Sequence, residues 1–411
     1  MKLAMVLLVT AVVLSGCIDA DKEVNLPAIS DVANTFEEAV NNTRTEIVPD
    51  QASSQAEAFT EPVQEIRKET RGELKGCVGE GPVTFSHAPA DTDNIELIVP
   101  LGQMSSAHVT PTDHQYYYLK AQGTAYAPAA GVITSIQAMP GSNNNDYRIV
   151  LHHTCTFYTI YIHVNTLSPK ILEAVGNMNG GENKYPAIAV EAGEAIALVT
   201  NQFNSFDFSA HDDDEILTGF ITPALYEGEP WKIHTVDPFD YFAEPLKSEL
   251  LAKNPRMAEP RGGKIDYDVA GTLAGNWFAE GTGYSGNHEN YWTTHASFVY
   301  DHYDPSTITI SLGNYGGEAK QFFAKGPDPA EVREETGIVK YELVDIDYMA
   351  SGKRWDRISY AENIEGVTSN PVQGIVLVQL LGGERMKLEA FPGKTAGQVN
   401  GFTADAKVYE R

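Results

Sequence analysis

Basic residues are scarce in this 411-residue chain, and cysteine is scarcer. Against 56 Asp and Glu stand 29 Lys and Arg, a formal charge of −27 at pH 7, so phosphate backbones and anionic lipid surfaces meet a repelling field over most faces. Nucleic acid is therefore excluded as a partner, and the acidity reads as a solvated surface. The chain has no apolar run of the roughly 20 residues needed to span hydrocarbon, no low-complexity tract and no repeat of fixed period. Only three cysteines occur, Cys17, Cys77 and Cys155.

The N-terminus is more specific. "MKLAMVLLVTAVVLSGC" places one positive charge at Lys2, an apolar run from Leu3 to Leu14 and small residues before Cys17. This resembles a prokaryotic lipoprotein signal whose lipobox is Leu14-Ser15-Gly16-Cys17. The resemblance implies cleavage before Cys17, a lipid on its sulfur and attachment to a membrane of the cell envelope, facing away from the cytoplasm. Ile18 after the lipidated cysteine favours the outer membrane if the cell has one. Cys77 and Cys155 are left as an even pair in an exported chain, which favours a disulfide; two buried free thiols are the alternative.

Composition divides the remainder. Residues 18–72, rich in Glu, Ala, Thr, Ser and Asn, read as a flexible tether with a short helix in "EPVQEIRKETRGELKG". From residue 77 to about 250, short alternating runs such as "IELIVP", "GVITSIQA", "YRIVLHH", "FYTIYIHV" and "AIALVT" predict a mainly β, antiparallel domain. A second β-rich domain, barrel or sandwich, is expected over 262–411 from "ASFVYDHY", "TITISLG", "KYELVDIDYM", "GIVLVQLLG" and "MKLEAF". In it Gly275-x-Trp277 resembles the start of lipocalin-like barrels, which implies a calycin-like barrel able to carry a small apolar ligand. His295 and His302 flank one strand there, and no ligand cluster stands out.

Candidate chemistry gathers in the first β domain. His108, Asp113 and His114 precede the small-residue turn "APAAG"; Tyr161-Ile162-His163 lies on a later strand; "GEAIALVTNQ" leads into Ser205-Phe206-Asp207-Phe208. In order these motifs resemble the lysostaphin-like, LytM-type zinc metallopeptidases with their duplicated hybrid motif. The resemblance implies a peptidase-like antiparallel sheet with His108 and Asp113 as the first two metal ligands, His114 as an alternative to Asp113, and His163 as general base or transition-state stabiliser. The pattern departs twice. Four residues separate His108 from Asp113 where the family has three, and the final "HxH" is replaced, leaving Ser205 for the catalytic His and Asp207 for the third ligand. Zinc is accordingly expected to be weakly held or absent, although a His, Asp, Asp set also suits Ca²⁺ or Mn²⁺.

Alternation along a strand predicts that Tyr161 and His163 share one face while Ile162 points to the core, and that His108, Asp113, His163 and Asp207 converge. His211 in "SAHDDDEI" reads as part of an exposed acidic turn, His152 and His153 as strand-end side chains meeting solvent, and Tyr116 to Tyr118 as core and edge filling. The expected function is a lipid-anchored envelope protein with a degenerate peptidase domain, binding peptidoglycan, another glycan or peptide, or a partner, without hydrolysis. The alternatives are an active metal-dependent endopeptidase with an altered ligand set and a small-ligand carrier working through the C-terminal domain.

Overall fold

A computed structural model describes residues 81–141, 145–201, 203–284 and 290–411. The lipobox with Cys17, the tether, its expected helix and Cys77 lie outside these residues.

Two β assemblies make up the described chain. The first is a nine-stranded antiparallel sheet in the order Ile95–Val99, Gln115–Leu119, Ser205–Asp212, Phe157–Val164, Tyr147–His152, Gly131–Ala138 and Asn183–Lys184. Thr235–Val236 adds to the Ser205–Asp212 strand and Ile188–Val190 to the Gly131–Ala138 strand. A small sheet of Gly123–Tyr126, Ala195–Val199 and Thr166–Leu167 covers one face. Between the two lies a core that includes Ile133, Ile149, Tyr161, Ile196, Phe206 and Phe208. One face of the large sheet is thus committed to the core, and the other carries the polar side chains.

The second assembly is a closed antiparallel barrel of eight strands. Its strands run Gly275–Ala279, His295–Tyr300, Ile308–Tyr315, Glu318–Lys325, Val339–Val344, Val372–Leu380, Arg385–Pro392 and Lys407–Glu410. Pairing of Phe278 with Glu410 completes the closure. Trp277, Phe298, Phe322, Tyr341, Val376 and Met386 fill its interior as one buried cluster, as in other barrels of this strand number. Trp277 is capped by Arg411, whose guanidinium carbon sits 4.2 Å from the indole centroid. Arg411 also donates to the carbonyls of Val269, Thr272 and Ala274 and to the Glu384 carboxylate.

The barrel packs against the polar face of the sheet at its first two strands. Leu97, Val99, Tyr116 and Tyr118 meet Phe323, Val344, Tyr348 and Trp355 in a shared apolar cluster. Buried Arg256 ties the connecting segment down, donating to the carbonyls of Pro260 at 2.7 Å and His302 at 2.8 Å. Any site on the polar face of the sheet is therefore bounded on one side by the barrel.

Candidate functional site

The site is built on three neighbouring strands. Phe206, Phe208 and Ala210 enter the core, so alternation turns Asp207, Ser209 and His211 to the polar face. On one side Asp207 lies opposite Tyr116, and on the other opposite Ile162. Tyr117 stacks on Phe206 in the core at 5.2 Å between centroids, which leaves Tyr116 and Tyr118 on Asp207's face.

From this frame a line of alternating imidazoles and carboxylates crosses the face. His163 Nδ1 donates to Asp146 Oδ2 at 2.9 Å, and His163 Nε2 lies 3.8 Å from Asp207 Oδ2. His114 Nε2 approaches the same oxygen at 3.5 Å, while His114 Nδ1 donates to Asp113 Oδ1 at 3.1 Å. Lys232 Nζ closes the line 3.9 Å from Asp113 Oδ1. His114, Asp113, Asp207 and Lys232 are buried, whereas the His163 side chain is 47% exposed and forms the open end.

His163 reaches this line by a route that alternation does not give. Tyr161 is fully buried in the core, and Ile162 lies on the opposite face with Val150, Tyr158, Ile160 and Trp231. The expectation that Tyr161 and His163 share a face is therefore corrected. His163 adopts a left-handed backbone, φ 68°, which swings its ring back over Asp207 in spite of its odd-numbered place on the strand. Such a conformation is strained for a residue with a Cβ, and the Asp146 hydrogen bond helps to hold it.

Charge follows position. Burial alone raises the Asp113 carboxyl, but Lys232 and the His114 hydrogen bond outweigh it and hold Asp113 well below the usual carboxylate range. For His114 burial opposes the charged form, and Asp207 and Asp113 overcome it, so the imidazole pKa is raised. His163 is raised chiefly by its hydrogen bond to Asp146. Asp207 is raised by burial, against the pull of His114 and His163. Both imidazoles thus keep a second proton to higher pH than a free imidazole, and a doubly protonated ring has no lone pair to offer.

Lys232 is set by the turn Pro230–His234, where it is 2% exposed and its Nζ lies 5.4 Å from the Tyr284 ring centroid. Its neighbour Trp231 stacks beneath Arg148 at 5.2 Å. The expected ligand set fits a metal poorly. Asp113 is engaged by His114 and by an ammonium that competes for the same oxygens. Asp207 is reached by His114 and His163 and not by Asp113's loop partner His108. His108 is exposed on its loop with its ring edge-on to His114 at 5.5 Å. Among the described residues no group of three or more His, Cys, Asp and Glu is arranged to hold an ion.

Other sequence expectations change as well. His211 is fully buried on the strand, donating from Nδ1 to the Trp231 carbonyl at 3.0 Å and accepting from Ser209 Oγ at 2.8 Å. It is no part of an exposed turn, and burial pushes its pKa down to about 4. His152 and His153 are likewise buried. His152 pairs with Thr134 Oγ1 at 2.9 Å, and His153 bridges the Ala130 carbonyl and Thr159 Oγ1, each at 3.0 Å. Of the three tyrosines Tyr117 fills the core, while Tyr116 and Tyr118 line the polar face. Asp146 and Lys232 were missed by sequence reasoning. Asp146 follows an Asn-rich stretch of sequence, and Lys232 sits beside Trp231 in a Pro-led turn; neither carries a ligand signature.

No family model matches the chain, and no curated protein matches it. Among solved structures, the SpoIIQ–SpoIIIAH pore-forming complex aligns over 41% of this chain and 96% of its own, at 11% identity and a TM-score of 0.25. Lysostaphin in solution aligns over 73% of this chain and 80% of its own, at 11% identity and a TM-score of 0.21. These are distant neighbours, and likeness at that level carries no argument about chemistry.

Proposed function

We propose that this chain is an envelope-anchored binding protein whose peptidase-like groove holds a peptide or glycan of the cell wall without hydrolysing it. The observation that carries this is Lys232, a buried ammonium 3.9 Å from Asp113, in the part of the site where a hydrolase needs an exchangeable Lewis acid. A fixed ammonium offers the carboxylate charge compensation but no open coordination position for water. His163 at the open end remains able to exchange hydrogen bonds with a bound chain, with Asp207 buried behind it and Tyr116 beside them. The lipid anchor at Cys17 and a Cys77–Cys155 bridge belong to the same proposal, as an exported, tethered module. The carrier reading loses support, because the barrel interior is filled by side chains such as Trp277 and Phe322.

The test is sedimentation with insoluble peptidoglycan alongside incubation with soluble cross-linked wall peptides and added zinc. Cosedimentation that weakens about tenfold in Asp207→Ala, with no cleavage, is expected. Chelator-sensitive cleavage lost in His163→Ala defeats the proposal. It would put first the reading of an active metal-dependent endopeptidase.

A further inference from the structure

Where the barrel meets the sheet, a cavity of about 210 Å³ opens outside the groove. Its walls come from three sources: Tyr118 from the sheet, His302 and Tyr303 from the segment leaving the second barrel strand, and Tyr348 with Arg357 from the small sheet of Tyr348–Ala350, Lys353–Arg354 and Ile364–Gly366 and the loop before its last strand. No single assembly makes this cavity. Its chemistry also differs from that of the groove, since aromatic faces predominate and the one guanidinium replaces the line of imidazoles.

Two polar groups on these walls lack the partners their neighbours have. Asp301 is buried and fully engaged, accepting from the Tyr348 hydroxyl at 2.6 Å, from the Tyr303 and Asp304 backbone amides at 2.9 Å each, and from His302 Nδ1 at 3.2 Å. In the neutral ring that last contact places the proton on Nδ1 and leaves Nε2 as an acceptor. Residue His302 is 8% exposed, and Nε2 has no hydrogen-bond partner among the described residues. A buried acceptor without a donor costs on the order of 1 to 3 kcal/mol, so a donor is wanted there. Arg357 in turn lies over the Tyr348 ring at 5.2 Å and donates to the Ile346 carbonyl. Among the described residues Arg357 pairs with no carboxylate, while Arg354 nearby is paired with Asp347.

We infer that this junction cavity binds a hydroxylated ring of monosaccharide size bearing a carboxylate, an acidic sugar. Tyr118, a partly buried aromatic of these walls, supplies a face for the C–H side of such a ring, a ring hydroxyl donates to His302 Nε2, and the carboxylate pairs with Arg357 in the bidentate manner a guanidinium favours. The inference is independent of the groove, because none of the groups in the line from Asp146 to Lys232 lines the cavity.

Titration of the mature protein with glucuronate and with methyl glucoside, followed by NMR or calorimetry at millimolar sugar, tests it. Glucuronate should bind saturably and methyl glucoside at least about tenfold more weakly, the difference vanishing in Arg357→Ala. Arg357 is exposed, so that substitution leaves the fold intact. His302→Ala should weaken both sugars, with His302→Gln, which keeps an acceptor, recovering part of the loss. Asp207→Asn should leave glucuronate binding unchanged whether or not the groove binds wall material. The inference is overturned by no saturable binding of glucuronate, by equal affinity for the two sugars, or by binding indifferent to Arg357→Ala.

Discussion

Lys232 Nζ stands 3.9 Å from Asp113 Oδ1 with both side chains almost wholly withdrawn from solvent, so the site carries its own permanent cation. Removing one member leaves the other charge buried and uncompensated, the costly case for such pairs. Lys232→Met should destabilise the fold by about 3 kcal/mol, and adding Asp113→Asn should recover a good part of that loss. Denaturant melts of the two single variants and the double variant check this. Strictly additive losses would show that the two groups do not interact.

The open end of the line should report on pH. His163 owes its raised pKa first to Asp146, so Asp146→Asn should move its titration to lower pH, followed through the imidazole NMR signals. The sign of the stability effect follows: a raised pKa means the contribution is complete below the unfolded value of 6.5 and fades as pH rises through the folded value. Stability of the native protein should therefore lose this contribution on the alkaline side of 6.5, and the Asp146→Asn protein should lose less. An unchanged titration midpoint in the variant would assign the shift to another cause.

How much of this site could be read in advance depends on how local each cause is. The strands Gly131–Ala138 and Phe157–Val164 coincide with the runs "GVITSIQA" and "FYTIYIHV", because apolar alternation is written into adjacent residues. The barrel strand Glu318–Lys325 was passed over, since "EAKQ" opens it with polar residues that only its place between two other strands explains. His163 defeated the alternation rule through one positive φ, which nothing in "YIHV" announces. Lys232 was invisible for a different reason. Its burial depends on Tyr284 from the barrel side and Asp113 from the loop before the Gln115–Leu119 strand, and neither is near it in sequence.

The cysteines make separate claims. If Cys155 pairs with Cys77, thiol titration of the denatured, unreduced mature protein finds no free sulfhydryl, and reduction should cost on the order of 3 to 4 kcal/mol of stability. Two free thiols would exclude the bridge. Cys17→Ser, by contrast, should release the protein from membranes or leave an unprocessed precursor, and membrane recovery with normal processing would remove the lipid anchor from the proposal.

In the barrel, Arg411 should behave as a structural residue. Arg411→Ala removes the cation over Trp277 and strands three carbonyl acceptors, with an expected loss of about 3 kcal/mol in a thermal or denaturant melt. Sugar binding at the junction should survive at temperatures below the lowered midpoint. A change under about 0.5 kcal/mol would place the capping role elsewhere.

The closing pair of the barrel has a consequence in time. Gly281 donates to the side chain of Glu410 across a sequence separation of 129 residues, beside the pairing of Phe278 with Glu410. Contacts of that span form late, after the entropy of a long loop has been overcome. As a chain emerges from its N-terminus, the first barrel strand must wait, with Trp277 and Phe278 unsheltered, until the last strand arrives. During that wait the molecule is most exposed to proteases and to pairing with a second copy, so any escort it requires should be needed until the last residues have emerged and no longer.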